Sequence, residues 1–590
     1  MGQFWKFVFA SCLGVFLCIV LVSIIGISII SGIASSAEKP PKVNPNTVLH
    51  LKFDNPVPEK TNNVEMTTFS LKEVQVMGLE DILNTLEKAK ADDNIKGIFI
   101  ETDAVAMGIA TSRVLREALA DFKSDGKFIY AYCEYCSQGA YYLASVADQL
   151  SVNPQGIIDF RGFAAQIPFF KNMLDKIGVK VEVFYAGKFK GATEPYRRTE
   201  LSPENRLQTR EYLDDMYRMF IDDISKSRKL SANELRGIAD GYLAVDPTNA
   251  QRLKVIDAVA FRDETMGKIR EKLGLKETDD INLLKLEDYF KSNPPSKDYS
   301  SKNKIAIVYA EGTIVDGKGD VGSIGDEKYM KVLQQVRGDN RIKAVVLRVN
   351  SGGGSALASE NILREVKLIQ QTGTPVIVSM GDYAASGGYY IAASADTIVA
   401  EPNTLTGSIG VFSIFPVAKE LLNNKLGISM DTVKTGKFAH GLSPFFDVSP
   451  EERQILQNRT NITYETFLKR VSDGRGMTRD QVNEIAQGRV WTGTRGKQIG
   501  LVDVIGGLDE AVKIAAYKAG VKEYRTVEYP AIKDSWQRIL DDLTGGEEDV
   551  RTDRMLKKSL NEWYPYYLFV KEIQDSKGVQ ARLPFIIPFK

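Results

Sequence analysis

The chain has 590 residues, too many for one hydrophobic core and enough for roughly three or four ordinary domains, or two large ones with additions. Apolar residues make up 43% and charged residues 26%, which excludes a disordered chain, and 76 Lys and Arg against 76 Asp and Glu leave no global field to recruit nucleic acid. With only two histidines, His50 and His440, a clustered-histidine zinc site is poorly served and hydrolytic chemistry is expected to run without histidine; four cysteines are too few for a disulfide framework.

In chain order, the first feature is an uncharged run from Phe7 to Ala37, apolar through about Ile33. It exceeds both the ~20 residues that cross a hydrocarbon core and the about 7–15 of a secretory signal core. Residues 1–37 are therefore expected to form a transmembrane anchor rather than a cleaved leader. Lys6 before the run and Trp5 at its edge place the N-terminus on the cytoplasmic side, so a single-pass topology puts the body beyond the inner membrane, on the periplasmic side.

After the anchor the chain repeats itself. Tyr135-Cys-Ser-Gln-Gly-Ala-Tyr-Tyr-Leu-Ala-Ser-Val-Ala-Asp148 aligns without a gap on Tyr383-Ala-Ala-Ser-Gly-Gly-Tyr-Tyr-Ile-Ala-Ala-Ser-Ala-Asp396. Ala186-Gly-Lys-Phe-Lys190 pairs with Thr435-Gly-Lys-Phe-Ala439, Ile238-Ala-Asp-Gly241 with Ile485-Ala-Gln-Gly488, and Val255-Ile-Asp257 with Leu501-Val-Asp503. A nearly constant register means a duplicated domain. The copies are expected at 38–290 and 304–530, joined by a Pro/Ser-rich linker at 291–303 and followed by an extension, 531–590. In each, β-branched runs such as Ile305-Ala-Ile-Val-Tyr309 and Ala344-Val-Val-Leu-Arg-Val349 alternate with helix-period segments, which predicts α/β layering around a mainly parallel sheet. His50 falls in the strand-like run Val48–Phe53 and reads as structural. Cys133-Glu-Tyr-Cys136 has the spacing of a redox pair without thioredoxin-like surroundings. In the extension, Met555–Trp563 is amphipathic, with packing and lipid contact as the two readings.

Two glycine-rich turns follow strand ends in the second copy, Asn350-Ser-Gly-Gly-Gly-Ser355 and Ala384-Ala-Ser-Gly-Gly388. A serine on such a turn can expose its hydroxyl where backbone N–H groups hold an oxyanion; alone, the pattern equally fits two tight turns. The repeat shifts the balance. Ser386 corresponds to Gln138 in the first copy, and Lys190 corresponds to Ala439 in the second. Each copy lacks what the other keeps, which fits one composite site. A serine hydroxyl needs a base, and a lysine becomes one only when burial lowers its pKa from ~10.4.

These residues resemble the bacterial signal peptide peptidase A family, also called protease IV, in its long duplicated form. The resemblance runs through about residue 525 and is carried by Gly381-Asp-Tyr-Ala-Ala-Ser-Gly-Gly-Tyr389, Leu405-Thr-Gly-Ser-Ile-Gly410 and Lys190-Gly-Ala-Thr-Glu-Pro195. It implies two tandem Clp protease/crotonase-like domains, Ser386 as nucleophile and Lys190 as general base. It also implies Ser408 as the residue that holds the lysine amine, and Gly353, Gly354 and Gly387 as oxyanion donors. The substrates implied are cleaved signal peptides and other apolar peptides, the assembly a bowl-like homo-oligomer, a tetramer, and no metal or cofactor is needed. Gly352 departs from the family, where proline is common. Three rivals are a crotonase-type acyl-thioester enzyme, a penicillin-recognising enzyme suggested by Lys434-Thr-Gly436, and a catalytically silent membrane scaffold. The penicillin-recognising reading lacks its Ser-x-x-Lys, because residue 389 is tyrosine.

Overall fold

The computed structural model describes residues 41–63, 76–294, 301–531 and 578–583, and scattered helical residues between 2 and 20. Most of the expected membrane anchor and all of 555–563 lie outside the described residues. Among the described residues no helix is long and apolar enough to cross a membrane.

The first half builds a six-stranded sheet from Thr47–Leu51 (β1), Ile95–Glu101 (β2), Phe128–Cys136 (β3), Gln149–Ile158 (β4), Ala258–Val259 (β6) and Leu283–Lys285 (β7), in the order β6-β4-β3-β2-β1-β7. Every pairing in it is parallel. The second half repeats the plan with Lys304–Glu311 (β8), Ile342–Ser351 (β11), Val376–Ala385 (β13), Thr397–Ala400 (β14), Val504–Ile505 (β18) and Arg525–Tyr529 (β19). These run β18-β14-β13-β11-β8-β19, again all parallel, with Leu405–Gly407 (β15) continuing beside the end of β13 and Val490–Thr492 (β17) antiparallel to it. The same six-strand order in both halves is what a duplicated α/β domain predicts.

The sequence explains the layering. Central strands of a parallel sheet are covered on both faces and so read as continuous apolar runs rather than alternating ones. Ala344, Val345, Val346 and Leu347 on β11 are all buried, and they divide between two apolar clusters on opposite faces of the sheet. One face carries the helix Ala356–Gln371, through Ile362, Leu363, Val366 and Ile369. The other carries Leu508–Lys518, through Leu508, Ala511, Val512 and Ala515.

A third sheet mixes the halves. Lys180–Ala186 (β5) leaves the first half and pairs antiparallel with Val411–Val417 (β16) over Ala186↔Val411 to Lys180↔Val417. The order is β10-β9-β12-β20-β16-β5, with Thr313–Val315 (β9), Ser323–Gly325 (β10), Gly353–Ser355 (β12) and Gln580–Arg582 (β20). The stretch Gly353–Ser355, expected as a turn, is thus a short strand.

Buried polar contacts tie the halves together, two of them far apart along the chain. The helix Ile109–Ser124 has no side-chain cap of its own; Asp382 from β13 supplies one, accepting from Ala110 N (2.9 Å), Thr111 N (3.0 Å) and Thr111 Oγ1 (2.7 Å). Gly108 makes room, since a Cβ there would lie 2.1 Å from the Asp382 carboxyl carbon. A carboxylate at a helix N-terminus satisfies otherwise orphaned N–H groups and meets the positive end of the helix dipole. Arg348 on β11 grips Glu59 with Nε–Oε2 at 2.9 Å and Nη2–Oε1 at 3.1 Å, both residues buried. Replacing Asp382 by alanine leaves buried donors unsatisfied and is expected to cost about 2–4 kcal/mol, read as a lower urea midpoint, with Asp382→Asn milder.

Candidate active site

Ser386 sits where β13 ends and the short helix Gly387–Ala392 begins. Its backbone is in the left-handed region, φ +56° and ψ −116°, and the side chain is fully buried. Ser386 N donates to Gly407 O (2.7 Å), while Ser386 O accepts from Tyr390 N (2.8 Å) to open the helix. The following residues must be glycine, because the turn is pressed against neighbours. A Cβ at Gly388 would lie 2.5 Å from Ser351 O, and one at Gly387 2.8 Å from Ser359 Oγ.

Lys190 arrives from the other half, on the loop after β5. Its amine reaches Ser386 Oγ at 2.7 Å, Ser408 Oγ at 3.0 Å and Ser408 O at 3.1 Å. The loop is clamped by the second half: Phe189 N donates to Gln487 O (2.8 Å), and a Cβ at Gly488 would lie 2.7 Å from Lys190 N. Gln208 bridges, donating to Phe189 O (2.8 Å) and accepting from Val490 N (3.0 Å).

Lys190 is 1% exposed, and burial pushes its pKa well below the ordinary lysine value. Burial is the whole cause; no neighbouring carboxylate pulls the other way. An ammonium there could donate to all three oxygens. A neutral amine donates to the two oxygens of Ser408 and accepts from the Ser386 hydroxyl, which is the arrangement a general base needs. Ser408 is itself held at φ +50°, its N–H donating to Arg489 O (2.7 Å).

The expected oxyanion glycines lie beside the serine. Gly353 (φ +97°) and Gly354 (φ +159°) form β12, and a Cβ built on Gly353 would stand 2.6 Å from Gly387 N. Thus Ser386, Lys190, Ser408, Gly353 and Gly387 converge, with Gly354 adjacent on the same strand. Neither histidine joins them: His50 Nε2 lies 2.7 Å from Glu101 Oε2 and stacks on Phe99, and His440 lies on an exposed segment. Cys133 and Cys136 are buried on β3 with sulfurs 2.9 Å apart. Sequence reasoning missed the roles of Gln208 and Gly488, although Gly488 stood in one of the matched repeat segments. It also missed β20, whose three residues carry no pattern of their own.

The corresponding turn of the first half is built differently. Gln138 fills it with an amide that donates to Gly162 O (3.1 Å) and accepts from Gly162 N (2.8 Å) and Arg161 N (3.2 Å). Ala439 lies on an exposed stretch of the second half.

Comparison with known proteins is consistent with this duplicated plan. The chain is 36% identical to Protease 4 of Haemophilus influenzae over 74% of this chain and 72% of that protein. It is 35% identical to Protease 4 of Salmonella typhi over 80% and 77%, and 31% identical to the chloroplastic serine protease SPPA of Arabidopsis thaliana over 87% and 75%. A ClpP1 mutant of Listeria monocytogenes superposes with a TM-score of 0.24 at 15% identity, over 36% of this chain and 95% of that one, too low to establish a shared fold. The family model for peptidase family S49 matches twice, at residues 121–276 and 369–522. Those two matches cover more than half of the sequence, one in each half of the duplicated structure, and the chain belongs to peptidase family S49.

Proposed function

We propose that the chain is a membrane-anchored serine endopeptidase in which Ser386 is the nucleophile and Lys190 the general base, acting on cleaved signal peptides and other apolar peptides. The observation that carries the proposal is the 2.7 Å contact between the Ser386 hydroxyl and a fully buried amine that no carboxylate neutralises. Lys190 takes the Ser386 proton as Oγ attacks the peptide carbonyl. Backbone N–H groups of Gly387 and the Gly353–Gly354 strand receive the developing oxyanion. The tetrahedral adduct collapses as Lys190 returns the proton to the leaving amine. Water, deprotonated by the same amine, then hydrolyses the acyl-enzyme. Ser408 keeps the amine aimed by accepting two of its hydrogens. These steps call on no metal or organic cofactor.

The membrane anchor rests on the uncharged run from Phe7 to Ala37, and the inner-membrane, periplasm-facing topology on its flanks. The tandem Clp protease/crotonase-like architecture and the homo-tetramer rest on the family resemblance, and the 38–290 and 304–530 limits on the internal repeat and the Pro/Ser-rich linker between its copies. Partition into two units also fits the recurrent six-strand order.

On a synthetic apolar peptide, Ser386→Ala and Lys190→Ala are expected to lose turnover, Lys190→Ala by about 10²–10⁴-fold in kcat. Lys190→Arg should not restore it, because guanidinium stays protonated. Near-normal hydrolysis by Lys190→Ala places the base elsewhere. The pH profile follows from the burial. Catalysis needs the unprotonated amine, so kcat/KM should fall as pH drops through the Lys190 pKa, and burial puts that acid limb well below ~10.4. Ser408→Ala removes one of the amine's acceptors and should lower kcat roughly tenfold, the equivalent of one hydrogen bond, with KM little changed.

A further inference from the structure

In a regular strand, residues three apart point to opposite faces of the sheet. Cys133 and Cys136 on β3 do not. Tyr130 and Tyr132 pack into the apolar cluster on one face of the first sheet, while Ala131, Cys133 and Cys136 all belong to the cluster on the other. The two residues between the cysteines, Glu134 and Tyr135, are both exposed, and the ladder to β4 shifts register between Cys133 and Tyr135. Asp103 pegs this bulge: its Oδ1 accepts from Glu134 N (2.7 Å) and Tyr135 N (3.1 Å), and its carbonyl oxygen from Ser137 N (2.9 Å). The bulge turns both thiols inward and leaves their sulfurs 2.9 Å apart, so closing to the ~2.05 Å of a disulfide needs only a small movement.

The second half keeps the bulge without the thiols. Extending the gapless repeat by two residues sets Cys133 against Gly381 and Cys136 against Ala384, and β13 shifts register against β11 over the same stretch. Asn350 stands in for Asp103 there, its Oδ1 accepting from Tyr383 N (3.2 Å). Gly381 has no room for a side chain, because a Cβ would run into the Glu59 carboxylate that Arg348 holds. In the second half a glycine leaves that place to an ion pair; in the first the corresponding position carries a sulfur.

We infer that Cys133 and Cys136 form a disulfide that staples the end of β3 just before the Gln138 turn, made while the chain folds outside the inner membrane. The bond lies beyond the peptidase reading and depends on the topology proposed with it, since disulfides persist in oxidising compartments and are rare in the cytosol. One cysteine sulfur, as thiolate, attacks an external protein or small-molecule disulfide, whose S–S bond breaks and releases one thiol. The second cysteine sulfur then attacks the first, releasing the other external thiol and closing the ring. Each protein sulfur gives up one electron, the external disulfide takes both, and the two cysteine protons leave on the two released thiols. Both sulfurs are buried in the folded chain, so the exchange precedes the covering of β3, and afterwards the bond is shielded from reductant. A redox-active pair is built the other way, with an accessible thiol of lowered pKa; here burial pushes the Cys136 thiol well above its ordinary value. The bond is therefore structural.

Thiol trapping on the full chain tests this. Cells making the protein are quenched in acid, and the chain is denatured, alkylated before or after reduction, and read by peptide mass. The tryptic peptide Phe128–Arg161 holds both cysteines. The expected result is alkylation of Cys133 and Cys136 only after reduction, with the unreduced peptide about 2 Da lighter than its dithiol form. Cys133→Ser should leave Cys136 open to alkylation without reduction. Protease treatment of intact spheroplasts, run in parallel, reports which side of the membrane the body occupies. A digested body with both thiols alkylated unreduced overturns the disulfide and leaves the topology standing. A protected body with both thiols free overturns the topology and the disulfide together. A bond from either cysteine to Cys12, Cys18 or another chain also overturns the pairing.

Discussion

An amine buried without a counter-ion is the constraint on which the rest of this structure depends. Lysine taken out of water loses the hydration of its ammonium, and a neighbouring carboxylate would restore the charge and hold the proton in place. Around Lys190 the protein supplies only hydroxyl and carbonyl oxygens, so burial tilts the balance toward neutral amine without leaving it unbonded. Such a site needs walls on every side, and one α/β unit does not provide them. The lysine loop comes from the first half, and the serine, Ser408 and the Gln487–Val490 backing come from the second. Asp382 on a distant helix end and Arg348 on Glu59 fasten the same two halves together.

Duplication explains how such a division of labour can arise. Both halves keep the same strand order, so both place a turn at the end of the third strand, after β3 and after β13. In the first half the turn has become purely structural: Gln138 ties down Gly162 and Arg161 with its amide. In the second, glycines keep the turn narrow and leave the Ser386 hydroxyl free to meet the amine. The stretch holding Ala439 is exposed rather than walled in, so an amine there would stay hydrated and protonated. One copy has kept the serine on its narrow turn and the other the buried lysine.

Much of this was legible in the sequence, for identifiable reasons. Parallel strands announce themselves as short apolar runs, and a gapless repeat exposes positions where the copies disagree; Ser386 and Lys190 stand out at two of them. Local pattern could not show contacts made by single residues across long separations. Asp382 caps a helix 272 residues earlier in the chain, and nothing around Gly108 advertises a missing cap. The antiparallel pairing of β5 with β16 escaped for a related reason: a strand's own sequence states that it needs a partner, not which partner. A three-residue strand such as β20 is defined wholly by the edges it completes, and Gly353–Ser355 looked like a turn because glycine-rich strands have no side-chain signature.

Strain supplies the remaining part of the argument. Ser386 and Ser408 both occupy positive φ, a conformation that costs a non-glycine residue on the order of 1–3 kcal/mol and persists only where the surroundings over-determine it. Glycine at either position would relieve that cost and remove a hydroxyl that touches the Lys190 amine. Each serine is fixed by a short backbone bond to a neighbouring loop, Ser386 N to Gly407 O and Ser408 N to Arg489 O, both 2.7 Å. Gly407 immediately precedes Ser408 and Arg489 immediately follows Gly488, which backs the lysine, so the two bonds link both serines and the amine into one closed ring of constraints. The relative orientation of the three groups is thus set by the fold, at a cost in strain that the surrounding hydrogen bonds offset.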